Sequence, residues 1–226
     1  MVLLLFGPPG CGKGTQSGLI TGWLHIPAIS TGEMLRAETL AGTELGMAAR
    51  AIMVSGGLVG DDLVNQMLAA RIGRTDCAVG FLLDGYPRTV QQAEFLDGLL
   101  AERNYGTPVI LHLDVPFAAL AARMTSRRQC PRCKRIYNLL HHPPREAGVC
   151  DDEGEALITR KDDQPDVVAE RFKTYDDVTR PVLGHYHDRN YHQISGDRSP
   201  KYIFEEISEI LEQNGAPGRN GASNRI

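Results

Sequence analysis

The stretch Gly7-Pro8-Pro9-Gly10-Cys11-Gly12-Lys13-Gly14-Thr15 combines the properties that a bound phosphate asks of a protein. Glycines let successive backbone N–H groups turn inward around an anion, and Lys13 adds a full positive charge. The apolar run Val2-Leu3-Leu4-Leu5-Phe6 precedes the loop and a helical stretch follows it, so a helix N-terminus adds its dipole. One position departs from the pattern G-x4-G-K-[ST]. Gly14 stands where a hydroxyl would bind Mg2+ directly, and Thr15 comes one place later. The metal is then held mainly by phosphates and water, which suits an ion that sheds its hydration reluctantly.

A second anion site is expected. Ser30-Thr31-Gly32-Glu33-Met34-Leu35-Arg36 places hydroxyls and an arginine at a helix start. Asp84-Gly85-Tyr86-Pro87-Arg88 ends a buried strand and is followed by Gln91-Gln92. Open α/β sheets bind ligands at the C-terminal ends of their strands. Arg36 and Arg88 can clamp a phosphate bidentately, and the Gln92 amide can read the edge of a base. A third group is Cys130-Pro131-Arg132-Cys133 with Cys150 further on, a knuckle spacing that suits structural, tetrahedral Zn2+. Cys11 is expected to be a small filler and Cys77 a buried or surface thiol; His185, His187 and His192 receive no role.

The elements that must position these groups follow from periodicity. Short apolar runs at 2–6, 80–85 and 109–115, with shorter ones at 28–29 and 192–194, read as strands buried on both faces. Helical stretches lie between them: from a Thr31 cap through Leu40, from an Asp61 or Asp62 cap through Ile72, and over 89–102, 116–127, 165–180 and 200–213. The predicted fold class is α/β, with a parallel sheet flanked by helices. Residues 31–73 hold too many helices for a plain crossover, and 128–159 hold Cys, Pro, His and Gly without helical periodicity. Both read as insertions. The Gly/Asn/Ser-rich residues 214–226 are expected to be disordered.

The chain has 226 residues, 42% apolar and 23% charged, which suits one sizeable globular core and excludes a disordered chain. A net charge of −4 argues against nucleic acid or an anionic membrane as the main partner. No apolar run reaches the ~18 residues of a membrane helix. No export signal is evident, and five unevenly spaced cysteines read as reduced thiols, so a cytoplasmic location is expected.

The motifs GPPGCGKGTQ, ISTGEMLR, GFLLDGYPRT, RRQCPRCKRIY, TRKDDQ and ISGDRSP, in this order over residues 1 to about 212, resemble those of the adenylate kinase family. The length of the 128–159 insertion resembles the family's long form, whose lid carries a metal knuckle. The resemblance implies a P-loop kinase core with a five-stranded parallel sheet over 1–29, 60–127 and 160–213. It further implies an insertion at 30–59 that binds the nucleoside monophosphate and a lid at 128–159. The implied reaction is ATP + AMP ⇌ 2 ADP with Mg2+, by a monomer. Gly10, Cys11, Gly12, Lys13, Gly14 and Thr15 would hold the donor's phosphates, Arg123 would stack on its adenine, and Arg127, Ile136, Tyr137 and the backbone at Arg198 would also meet the donor. Thr31, Arg36, Gly57, Leu58, Val59, Gly85, Tyr86, Pro87, Arg88 and Gln92 would hold AMP, with Gly57 the weaker match. Arg160 and Arg171 would close over both reacting phosphates, and Asp84 would orient Mg2+ through water. The family's fourth zinc ligand falls at Glu153; Asp151, Asp152, His141 and His142 are alternatives.

Phosphoryl transfer to a phosphate needs positioning and charge stabilisation, not a general base, because the acceptor is already anionic. Lys13, Arg88, Arg127, Arg160, Arg171 and Asp84 are the catalytic candidates. Rival readings are a UMP or CMP kinase, a guanylate or GTP:AMP enzyme, a switch GTPase and a zinc-knuckle nucleic-acid binder. The GTPase would need a hydroxyl directly after Lys13 and an N-K-x-D segment, and the chain has neither.

Overall fold

The protein is described over residues 1–218 by a computed structural model. Along the chain come β1 (Val2–Phe6), α1 (Lys13–Leu24), β2 (Ala28–Ser30), α2 (Thr31–Ala41), α3 (Glu44–Val54), α4 (Asp61–Ile72), β3 (Phe81–Asp84), α5 (Val90–Glu102), β4 (Val109–Asp114) and α6 (Phe117–Thr125). Then follow β5 (Arg127–Gln129), β6 (Ile136–Asn138), α7 (Pro165–Thr174), α8 (Arg180–Tyr186), β7 (Tyr191–Ser195) and α9 (Pro200–Gln213). Among the described residues, five strands in the order β2-β3-β1-β4-β7 form one sheet, parallel throughout. The α/β class and the five-stranded parallel core agree with the sequence reading.

The central strand shows why that reading succeeds. Every residue of β1 is buried. Val2, Leu4 and Phe6 join the core on one face, with α4, α5 and α8, while Leu3 and Leu5 join the core on the other, with α1, α6 and α9. A parallel strand covered on both faces has no polar positions to alternate, so it reads as a continuous apolar run.

The helix starts differ in detail. Ser30, not Thr31, caps α2: its hydroxyl accepts from the Glu33 N–H at 3.4 Å, and Thr31 is the first helical residue. Gly60, not an aspartate, precedes α4; Asp61 and Asp62 occupy its first turn, where negative charge suits the helix dipole. Asp61 is recruited elsewhere, accepting from Thr89 Oγ1 at 2.6 Å and Gln92 Nε2 at 2.7 Å. The helix expected over 165–180 widens into a π-helical turn at Tyr175–Thr179 and then continues as α8. Pro181 follows the widening; it has no N–H to give to the preceding turn, and its ring would crowd a regular one. Residues 128–159 contain no helix, and β5 and β6 pair antiparallel there. At the C-terminus α9 is closed by backbone bonds from Asn214, Gly215 and Ala216, so regular bonding extends three residues into the segment expected to be disordered. Residues 219–226 of that segment lie outside the described residues.

Tyr86, expected on the acceptor, has its ring in the core. Its hydroxyl donates to Asn65 Oδ1 at 2.6 Å on α4, and burial pushes its ionisation well above the usual phenol range. Tyr86→Phe leaves the Asn65 oxygen buried without this donor. Urea denaturation should show a loss of about 1–3 kcal/mol at unchanged m value.

Candidate nucleotide site

The loop after β1 wraps back on itself. Lys13 Nζ donates to the carbonyls of Gly7 at 2.7 Å and Pro8 at 3.0 Å, bridging the mouth of the loop. Gly12 precedes α1 at φ +102°, no side chain caps the helix, and the space around a Cβ built there is empty to 4 Å. The first-turn amides of α1 therefore remain available to an anion. Gly10, at φ +83°, packs so close that a Cβ would lie 2.8 Å from Met124 Cγ of α6. The Cys11 side chain is buried in the core beneath the loop, and burial raises its thiol ionisation. Cys11 can thus contribute only backbone to a phosphate. Gly14 and Thr15 are exposed at the start of α1.

Beside the loop, β3 ends at Asp84, whose carboxyl is shifted upward by burial against the opposing pull of Lys13, Arg88 and Arg36. Thr31 Oγ1 donates to the Gly85 carbonyl at 3.0 Å, tying the start of α2 to the end of β3. Arg88 Nε donates to the same carbonyl at 2.8 Å. Gln92 is held on both sides of its amide: Oε1 accepts from the Arg88 N–H at 2.8 Å, and Nε2 donates to Asp61. One N–H and one lone pair of that amide remain for a ligand. Gly57, Leu58 and Val59 line an open cavity of about 520 Å³ that reaches Thr174 and Val178.

Four arginines converge from distant parts of the chain onto three carboxylates. Arg127 makes a two-pronged contact with Asp163, through Nε at 2.7 Å and through Nη2. Arg171 Nη1 reaches both Asp162 Oδ2 and Asp163 Oδ1 at 3.1 Å. Arg160 spans Gln129 Oε1 at 2.7 Å and Glu33 Oε1 at 2.6 Å, and Arg36 shares Glu33. Burial lowers Arg160 and Arg171 to about 10, with neighbouring arginines contributing, so both remain cationic at neutral pH. Burial also works against Arg127, but the Asp163 hydrogen bond more than restores it. Asp162, Asp163, Glu33 and Gln129 are the members of this cluster that sequence reasoning did not assign. The run Arg160-Lys161-Asp162-Asp163 carried a signal for two of them.

A further arginine, Arg123, lies in the last turn of α6. Arg123 donates to the Gly196 carbonyl at 3.0 Å and to Asp197 Oδ1 at 3.1 Å, beside Arg198. The Arg198 side chain itself turns away to Glu206, leaving only its backbone near Arg123. Ile136 reaches over the loop, 3.8 Å from a Cβ placed on Gly14. Tyr137 does not: its side chain is buried inside the 128–159 insertion, with its hydroxyl 3.5 Å from Cys150 Sγ. Any contact of Tyr137 with a donor nucleotide is restricted to its backbone.

The adenylate kinase family model matches residues 5–191 of the chain. The chain is 44% identical over 212 residues to an adenylate kinase of Anaeromyxobacter dehalogenans, covering 93% of this chain and 99% of that one. It is 44% identical over 214 residues to that of Oceanobacillus iheyensis, with 94% and 100% covered. A third relative, the adenylate kinase of Pseudothermotoga lettingae, is 39% identical over 214 residues, with 94% and 99% covered. The chain belongs to the adenylate kinase family.

Within that family frame the cysteines form a compact group. The Sγ atoms of Cys130, Cys133 and Cys150 lie within 4.8 Å of one another, and Cys133 and Cys150 are 3.6 Å apart. Four sulfurs at the usual Zn–S length stand about 3.8 Å apart, so the group fits one tetrahedral ion. Two matching backbone turns present it. Lys134 N–H donates to the Cys130 carbonyl and Cys130 N–H to the Arg135 carbonyl; Gly154 N–H donates to the Cys150 carbonyl and Cys150 N–H to the Glu155 carbonyl. Lys134 and Gly154, at φ +64° and +67°, occupy equivalent places. Glu153 thereby falls at the corner equivalent to Cys133. Its carboxylate nevertheless points away, 3.0 Å from Arg132 Nη1, and is not among the gathered ligand atoms. The longer arm of Glu153 reaches a neighbouring cation here, while its place in the turn matches that of Cys133. Asp152 pairs with Arg135 at 2.6 Å, and the His142 ring lies parallel to Tyr137 at 6.4 Å.

Proposed function

We propose that the chain transfers a phosphoryl group from Mg·ATP to AMP, giving two ADP, at the cleft bounded by the Lys13 loop and the arginine cluster. The convergence of Arg36, Arg127, Arg160 and Arg171 beside that loop carries the reading. Four cations gathered where strands end suit two polyanions brought face to face, and family membership supplies the nucleotides. In this reading, residues 10–15 with Arg123, Arg127, Ile136 and the backbone at Tyr137 and Arg198 hold ATP. Thr31, Arg36, residues 57–59, residues 85–88 and Gln92 hold AMP. Lys13, Arg88, Arg127, Arg160 and Arg171 meet the charge that spreads over the transferring group, and Asp84 orients Mg2+ through its water. Mg2+ enters with ATP and neutralises phosphate charge; Gly14 offers it no hydroxyl.

The proposed organisation is a core of 1–29, 60–127 and 160–213, an acceptor-binding insertion at 30–59 and a lid at 128–159. Closing both insertions excludes water, the competing acceptor. The enzyme is read as a monomer, cytoplasmic, with no nucleic-acid or membrane partner; thiols gathered for a metal suit a reducing compartment.

ADP formation from Mg·ATP with AMP, GMP, UMP and CMP in turn tests the function. Strong activity with AMP alone is expected. Activity with UMP or CMP and none with AMP would overturn the acceptor assignments while leaving the phosphate loop intact.

The second part of the reading is structural Zn2+ on Cys130, Cys133 and Cys150, with Glu153 rotating from Arg132 to complete the tetrahedron. A bound ion staples a lid of few apolar residues. Stripping the purified protein with a chelator should lower Tm by about 5–10 °C, the shift expected for about 2.7 kcal/mol of linked binding in a chain of this size. Zinc should restore Tm and Mg2+ should not; an unchanged Tm counts against the staple.

A further inference from the structure

A single carboxylate oxygen joins two of the converging arginines. Glu33 Oε1 accepts from Arg36 Nη2 at 2.5 Å, Arg36 Nε at 3.1 Å and Arg160 Nη2 at 2.6 Å. Glu33 lies in the first turn of α2, one turn before Arg36, whereas Arg160 comes 127 residues later, after the cysteine-bearing insertion. The Arg160 side chain is 11% exposed and that of Glu33 is 42% exposed. The anion in this contact is therefore the partner nearer solvent, and the cation is the one fixed in place. Gln129 holds Arg160 from its other side. The arginine hydrogen bonds hold the Glu33 carboxyl below its usual range although burial opposes them, so it is ionised.

Three N–H groups from two guanidinium ions, converging on one oxygen, form the arrangement by which arginines grip a phosphate. We propose that Glu33 is an affinity-setting residue of the acceptor site: its carboxylate stands in for the acceptor's phosphate on Arg36 and Arg160, and a phosphate must displace it to bind. The inference rests on the acceptor reading of those two arginines. Its physical content is competition. A phosphate gains the arginines only by releasing Glu33 to water, so the affinity of every phosphate for this site falls by one common factor. A ligand without a phosphate displaces nothing and is unaffected. Stray inorganic phosphate, with only the arginines to hold it, is kept out, while AMP adds its base and ribose contacts. Displacement also frees Arg160 for the transferring group at the moment the acceptor arrives.

The test is direct binding of AMP, inorganic phosphate and adenosine to the wild type, Glu33→Gln and Glu33→Ala, each variant checked by thermal melting. The expected result is AMP and inorganic phosphate bound about five- to tenfold more tightly by both variants, by the same factor, with adenosine unchanged. Equal or weaker AMP and phosphate binding would overturn the proposal, because Glu33 would then be organising the arginines rather than occupying them. Parallel weakening of adenosine as well would reduce Glu33 to a structural role and overturn it too. ADP formation by the wild type from Mg·ATP and AMP separates the two readings. If it is absent, the reaction is wrong; if it is present and the variants bind AMP no tighter, only the Glu33 inference fails.

Discussion

Arg88→Ala should lower kcat for ADP formation by about 10²–10³-fold, equivalent to about 3–4 kcal/mol of barrier, while the protein still folds. Among the described residues Arg88 makes no ion pair, unlike Arg36, Arg127, Arg160 and Arg171. Its Nε is spent on the Gly85 carbonyl, and burial lowers its guanidinium pKa, with Asp84 pulling the other way and Arg36 repelling. A partly desolvated cation with no committed anion is costly, and a phosphate relieves that cost. The Nη donors are thus held at the end of β3, aimed by the strand and by one backbone bond, with nothing to displace. Arg88→Lys keeps the charge but loses the planar fork, so it should recover only part of the rate. Steady-state kinetics with both substrates varied provides the check. A loss below tenfold for alanine would remove Arg88 from the catalytic group.

Asp163→Asn should be the most destabilising single change in the cluster, by about 3–5 kcal/mol, which lowers Tm by roughly 10 °C in a chain of this length. The Asp163 side chain is fully buried and serves two guanidinium ions, Arg127 through both oxygens and Arg171 through Oδ1. Removing its charge leaves two largely buried cations facing each other. Asp162 pairs directly with Arg171 and acts on Arg127 only through space, so it compensates in part. Urea denaturation at neutral pH measures the loss. Activity should fall further than stability alone explains, because Arg127 and Arg171 lose the contact that orients them. A loss under about 1 kcal/mol would mean that the pair behaves as a screened surface contact.

The cysteine group shows where reading residue types stops being sufficient. C-x2-C with a distant third cysteine is a local spacing, and the structure gathers all three sulfurs. The fourth ligand was open on sequence grounds, because Glu153, Asp151, Asp152 and two histidines all lie close in the chain. The matching backbone turns around Cys130 and Cys150 make position 153 the counterpart of Cys133, while the Arg132 ion pair determines where its carboxylate points. Tyr137 illustrates the same limit. Its neighbour Ile136 faces the phosphate loop and Tyr137 faces the cysteines, because successive residues of a strand point to opposite sides.

Sequence by itself determined the parts that short-range physics controls. Apolar runs of strand length placed the sheet, glycine spacing with Lys13 placed the anion loop, Thr89 marked a helix start, and motif order identified the family. These depend on periodicity and on hydrogen bonds among near neighbours. Only the tertiary structure decided which charges meet. Glu33 finds Arg160 across 127 residues, Asp163 finds Arg127 across 36, and Asp61 leaves its own helix end for Gln92, 31 residues away. Such pairings are fixed by how the sheet, the helices on it and the 128–159 insertion bring distant segments together. No local pattern encodes that, since a carboxylate is equally satisfied by any arginine the fold delivers to it.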